Sequence, residues 1–207
     1  GTNKPGMGAS GGPATWSFWV KNRQATSDAM LGSFTPFYKV NATRLAVSTN
    51  FVLYRDSLEI TITPIQAASI LSTMENAYAN LKSVYGSGEH PYPNDGARIV
   101  ILAYNILDDY STTQNYVGGY FSPRDLFSNA FTTALFNDPV AIQQYSNLIG
   151  LLGGYSNEMA IINYDLNPGY TTNPSQVNDI VIHELSHLFT YNRRVIKQRL
   201  TNHDLWI

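Results

Sequence analysis

The 207 residues include 43% hydrophobic side chains, enough for one domain with its own core, and no apolar run approaches the roughly 20 residues of a bilayer span. With 13 basic and 15 acidic side chains the formal charge is −2, which leaves no electrostatic footprint for phosphate backbones or anionic lipid, so nucleic acid and membrane are not expected partners. Cysteine is absent, which excludes thiol catalysis, disulfides and thiolate ligands; any metal site must use histidine and carboxylate.

Charged residues make up only 14% of the chain, and Asn, Thr and 14 Tyr carry the polar work, a balance that reads as secreted or surface-exposed. Residues 1–14 are Gly- and Pro-rich with Met7 as the one large apolar side chain, so they read as a flexible tail ahead of one domain over 15–207. Gly6-Met7-Gly8-Ala9-Ser10-Gly11 spells a dinucleotide-turn pattern, but no strand precedes it and no helix follows, so the linker reading stands. With Gly1 first and no apolar signal core, the chain is expected to be a mature product or a fragment.

Trp16, Phe18 and Val20 alternate with polar residues, as do parts of Tyr38–Leu45 and Thr49–Tyr54, which predicts strands. Asn41-Ala42-Thr43 is a glycosylation sequon by letter, inside one of these strands. Thr63-Pro64 opens a stretch with apolar groups at Ile65, Ala68, Leu71, Met74, Ala77 or Tyr78, and Leu81, closing near Gly86 and Gly88: a helix capped by Thr63. His90, beside Pro91 and Pro93, reads as a loop residue. Ala97–Tyr104 is a near-continuous apolar run and predicts a central strand covered on both faces. Asp108 and Asp109 read as a solvated turn, with calcium binding the alternative. Gly118–Phe121, followed by Pro123, reads as an edge strand. Residues 128–152 carry mixed signals, and Met159–Tyr164 predicts another strand.

Asn173-Pro174-Ser175-Gln176 has the parts of a helix start: cap, Pro in the first turn and a capping-box Gln. The helix that follows is apolar around much of its surface, yet carries His183-Glu184-Leu185-Ser186-His187. Side chains four apart on a helix are neighbours, about 5–6 Å between Cβ atoms, so both imidazoles can reach one Zn²⁺ at about 2.0–2.1 Å. Glu184, about 100° around the axis, points beside the metal, where it can take a proton from the activated water; the chemistry is metal-assisted amide hydrolysis. The plainer alternative is a pair of core histidines with a surface Glu, and it requires a separate partner for each desolvated group. Asp179, one turn earlier, could accept the outer proton of His183; a solvated carboxylate favoured by the helix dipole stands beside that reading. The long metzincin signature is excluded, because Thr190 and Arg193 stand where its Gly and His belong.

The chain resembles the gluzincin-type zinc metallopeptidases, and among them the hyicolysin group of bacterial neutral metallopeptidases. The resemblance is carried, in order, by Phe18-Trp19-Val20, Ala42–Leu45, Val52-Leu53-Tyr54, Ile101-Leu102 with Asp108-Asp109, Gly118–Phe121 with Asp125-Leu126-Phe127, Ser156–Met159 and the His183–His187 motif. It implies His183 and His187 as zinc ligands and Glu184 as catalytic base. In that family a Glu of an Asn-Glu element following a Trp is the third ligand, and Asp204–Ile207 looks like the approach to it. The expectation is therefore an upper zincin-like subdomain whose third ligand lies beyond Ile207, with His203 or Asp204 as substitutes. Were Gly118–Phe121 the rim of the cleft, Gly119 and Tyr120 would bind substrate backbone by strand addition.

The sequence thus predicts an α/β (α+β) zincin-like domain: a mixed, twisted sheet with one antiparallel edge, a backing helix near 64–85 and an active-site helix near 174–192. The expected activity is a secreted or cell-surface Zn²⁺-dependent endopeptidase acting on peptide or protein. The alternative is a binding or adhesion module on a peptidase-like scaffold without turnover.

Overall fold

The structure, a computed structural model, describes residues 12–23, 37–58, 62–86, 98–108, 116–126, 155–166 and 174–197. The anticipated strands form as β1 (Thr15–Lys21), β2 (Phe37–Val47), β3 (Phe51–Asp56), β4 (Ile99–Tyr104), β5 (Gly119–Phe121) and β6 (Ile161–Asp165), and the helices as α1 (Pro64–Tyr85) and α2 (Pro174–Tyr191). Together they make a mixed α/β fold around one six-stranded sheet in the order β1-β2-β3-β4-β6-β5. β3, β4 and β6 run parallel, and β5 closes one margin antiparallel. The other margin is antiparallel too, which extends the expectation of a single antiparallel edge: Ser48–Asn50 is too short a link from β2 to β3 to return in parallel.

All six residues of β4 are buried, as its unbroken apolar run demands of a strand covered on both faces. One face of the sheet packs on the two helices through Phe51, Leu53, Ile101, Ile162, Met74, Leu185 and Phe189. Tyr78 of α1 stands edge-on to Phe51 at 5.8 Å and to Phe189 of α2 at 5.3 Å, locking the helices to each other and to the sheet. The helix α1 starts at the anticipated Thr63, whose hydroxyl accepts from Gln66 N–H (3.3 Å) while the Gln66 side chain accepts from Thr63 N–H (2.9 Å). Leu71 and Met74 are buried as anticipated, and Ala77, Tyr78 and Leu81 pack against the core, but Ala67 and Ile70 fill the first turns where Ile65 and Ala68 were expected; Ile65 is 83% exposed.

The opposite face encloses a second core of Phe18, Val20, Val40, Tyr54, Leu102, Tyr104, Tyr120 and Ile161. The sheet itself covers this core by curling until β1 meets the far end. Residues 19, 21 and 23 turn their backbone groups away from β2, and each finds a donor or acceptor there. Trp19 N–H and C=O bond to the Asn157 amide (2.8 and 2.7 Å), Lys21 N–H to the Tyr120 hydroxyl (3.0 Å), and Arg23 N–H to Leu107 C=O (2.8 Å). An edge that would otherwise invite pairing with another chain is thereby occupied. Gly12–Ala14, read from composition as the end of the tail, are held against the same sheet: Pro13 C=O accepts from Tyr54 Oη (2.7 Å) and Ala14 C=O from Arg44 N–H (2.8 Å). The remainder of the tail, His90 and residues 128–152 lie outside the described residues.

The β2–β3 turn is tied to α1 by Glu75, whose carboxylate accepts from Asn50 N–H (2.7 Å) and Asn50 Nδ2 (2.6 Å). Burial opposes its ionisation, but these donors together with the Ser48 hydroxyl and the Thr49 N–H outweigh it and hold the carboxyl below its ordinary value. A carboxyl with a depressed folded-state pKa stabilises the fold above its unfolded value, about 4.3, and that contribution disappears as pH falls through the folded value. Urea denaturation at neutral and acidic pH is expected to show that Glu75→Gln loses about 1–2 kcal/mol at pH 7 and flattens the acid limb, the two proteins converging at low pH.

Candidate metal centre

The helix α2 seats Val181, Leu185, Leu188 and Phe189 in the core between helix and sheet. His183 and His187, one turn apart, fall on the flank away from that core, His183 exposed and His187 half-buried, while Glu184 between them is buried. The two Nε2 atoms approach to 3.0 Å with the rings nearly perpendicular, and the ligand atoms of His183, Glu184 and His187 all lie within 4.8 Å of one another. Nitrogens at that separation can share a proton or share a cation. Two nitrogens at about 2.0–2.1 Å from one ion lie about 3.0–3.5 Å apart, so the pair fits a divalent metal without rearranging the helix. Burial, and next the charge on His183, hold His187 below the ordinary imidazole value, so it is neutral at pH 7 and offers a lone pair.

Glu184 is fixed from the sheet side. Its Oε2 accepts from Phe121 N–H at 3.0 Å, a buried bond between helix and edge strand. The Asp165 N–H to Gly118 C=O bond (2.9 Å) sets the alternation in β5, so the N–H and C=O of Gly119 and Phe121 turn to the outer margin and those of Tyr120 to β6. Burial pushes the Glu184 carboxyl above its ordinary value; the charge on His183, the Phe121 N–H and the charge on Arg23 pull it back without cancelling the rise. The result is a carboxylate of raised basicity with one oxygen committed to the backbone.

The helix comes this close to β5 because Gly118 and Gly119 have no side chains. A Cβ at Gly119 would stand 2.7 Å from the Asn163 carbonyl oxygen and 2.8 Å from Ile180 Cγ2; one at Gly118 would meet Ile180 Cδ1 at 2.8 Å. Neither glycine has positive φ, so the requirement is steric.

The structure thus brings His183, Glu184, His187 and Gly119 together. Tyr120 is placed differently: its C=O accepts from Asn163 Nδ2 (3.2 Å) and its hydroxyl meets Tyr104 Oη (2.9 Å) in the core on the far face. Asp179 is exposed, and among the described residues no hydrogen bond joins it to His183. Asp108 Oδ2 accepts from Val117 N–H (2.9 Å), which fixes the approach to β5; Asp109, His203 and Asp204 lie outside the described residues. The Phe121 N–H went unread because a backbone donor has no letter in the sequence; the Gly118-Gly119 pair was the signal that something packs closely there.

Two imidazoles and a carboxylate on one helix, against the antiparallel edge of a mixed sheet, make a candidate divalent-metal centre. No family model matches the chain. Over 152 residues, 70% of its length, it is 26% identical to Neutral metalloprotease ShpI of Staphylococcus hyicus, and the chain spans 29% of that protein.

Substituting the two glycines separates their roles. Gly118→Ala is expected to be tolerated within about 1 kcal/mol, since the Ile180 tip can rotate away, whereas Gly119→Ala meets a strand carbonyl and loses about 1–3 kcal/mol. Thermal denaturation of the two variants checks the order.

Proposed function

We propose that this chain is the metal-binding part of a zinc-dependent endopeptidase of zincin-like architecture, secreted or displayed at the cell surface. The observation that carries the reading is the 3.0 Å approach of two helix-borne imidazole nitrogens with Glu184 held beside them. Similarity to a protein named as a neutral metalloprotease supports it, as does the low charged fraction of 14% for an extracellular setting. His183 and His187 would hold the ion; a third ligand would be a Glu outside these 207 residues, or His203 or Asp204. Bound there, zinc would supply Lewis acidity, acidifying water at neutral pH and polarising the scissile carbonyl.

The protein's own part falls to Glu184 and the edge strand. With Oε2 on the Phe121 N–H, the other carboxylate oxygen is the one that removes the proton from the attacking water and delivers it to the departing amine. The raised carboxyl pKa suits a group that must first accept that proton and then give it up. The outward N–H and C=O of Gly119 would pair with the substrate backbone and lay the peptide along β5; Tyr120 would contribute by keeping the strand in place. Asp179 would act through solvent as an outer partner of His183.

Glu184→Gln is expected to lower peptide hydrolysis by about 10²–10⁴-fold while zinc content stays at the wild-type level, and His187→Ala to lose the metal. Calorimetric zinc titration with a fluorogenic peptide assay measures both. Zinc binding without turnover in the intact wild-type protein would favour the binding-module alternative, and full activity of Glu184→Gln would overturn the mechanism.

A further inference from the structure

We propose that Arg23 is a specificity residue that receives a substrate carboxylate, from an acidic side chain or a peptide C-terminus, where the peptide passes the Tyr120 side of β5; this rests on the peptidase reading above. The position of Arg23 is set by the fold, since its N–H donates to Leu107 C=O at 2.8 Å in the seam where the sheet closes. Its guanidinium carbon stands 5.3 Å from the centre of the Tyr120 ring, in the middle of the edge strand. That ring is a fixed platform, because its hydroxyl is engaged by both Tyr104 Oη (2.9 Å) and Lys21 N–H (3.0 Å).

Cation–π attraction to a ring does not use up the N–H donors of a guanidinium, whose planar fork matches a carboxylate. Arg23 is exposed, and among the described residues the ion pair present is Arg124 with Asp125, so Arg23 is not committed to a protein carboxylate there. Asp125 is already engaged, its Oδ1 accepting from Asn157 N–H (3.0 Å) and Nδ2 (2.9 Å). Tyr120 lies on β5 between Gly119 and Phe121, and the Phe121 N–H holds Glu184, so Arg23 stands over the strand that positions the carboxylate. Lys21, two residues earlier, is likewise exposed and adds a second cation beside Arg23. An anionic group entering here meets the exposed cations Lys21 and Arg23 and the donors of the Arg23 guanidinium.

The test uses peptide pairs that differ only in Glu or Gln at each position flanking the scissile bond, each with a free or an amidated C-terminus. The intact wild-type protein is expected to favour the acidic member by about tenfold in kcat/KM, through KM, with the preference shrinking as salt rises from about 0.05 to about 0.5 M. Arg23→Gln should bring the ratio close to one, and Arg23→Lys, which keeps the charge without the fork, should restore part of it. A Glu/Gln difference with both C-termini identifies the side chain as the ligand; a difference between free and amidated peptides identifies the terminus. Equal ratios in wild type and Arg23→Gln overturn the proposal even if cleavage proceeds. Binding of the same peptides to Glu184→Gln by fluorescence anisotropy separates the two readings. Arg23-dependent binding of acidic peptides without cleavage by the wild type would leave the subsite standing and count against the peptidase.

Discussion

The bond from Phe121 N–H to the buried Glu184 carboxylate joins the two halves of the site. An isolated carboxylate at that depth would lose several kcal/mol of hydration, so the side chain must be protonated, paired or bonded to oriented donors. Here one strand N–H and the adjacent His183 offset part of that loss. The edge strand thereby helps to position the carboxylate: a shift of β5 moves Glu184, and a shift of α2 moves both Glu184 and the imidazoles.

Holding that contact requires support from the far side of the sheet. The strand β5 is three residues long and, among the described residues, pairs with β6 alone, so its own ladder offers little rigidity. Tyr120 supplies the rest by sending its hydroxyl through the second core to Tyr104 and to the backbone of β1. Burial and the neighbouring tyrosines keep the Tyr104 phenol far above its ordinary value, so both rings remain neutral hydrogen-bonding groups at any working pH. The curl of the sheet and the placement of Glu184 are in this sense one structural problem: closing β1 onto β5 protects an edge and braces the strand that carries the Phe121 N–H.

Much of this was legible in the residues, for identifiable reasons. The continuous apolar run of Ile99–Tyr104 admits no exposed face, and Thr63-Pro64 ahead of a periodic apolar run can hardly begin anything but a helix. The His183–His187 spacing carries its geometry with it, because a helix places side chains four apart on one flank. Strand direction was less legible, since alternation in Phe18–Val20 or Val40–Ala42 reports which face is buried and not how neighbours run. In the first turns of α1 Ala67 and Ile70 are buried in place of Ile65 and Ala68, because both sets lead into Leu71 and Met74 at helical spacing and the letters alone do not choose between them. Contacts that depend on the curl, such as Arg23 over Tyr120 or Asn157 against Trp19, join residues more than 90 positions apart and have no local signature.

The alternation of β5 explains how such a short strand can serve both cores. Side chains of successive residues leave a strand on opposite faces, so Gly119 and Phe121 face α2 while Tyr120 faces the second core. A one-residue slip against β6 would exchange these roles, driving the Tyr120 ring into α2 where Gly119 now admits Ile180. It would also turn the Phe121 N–H toward β6, away from Glu184. The glycine, the phenol and the outward N–H thus select a single register, and that register is the one in which a basic carboxylate stands beside two converging imidazoles.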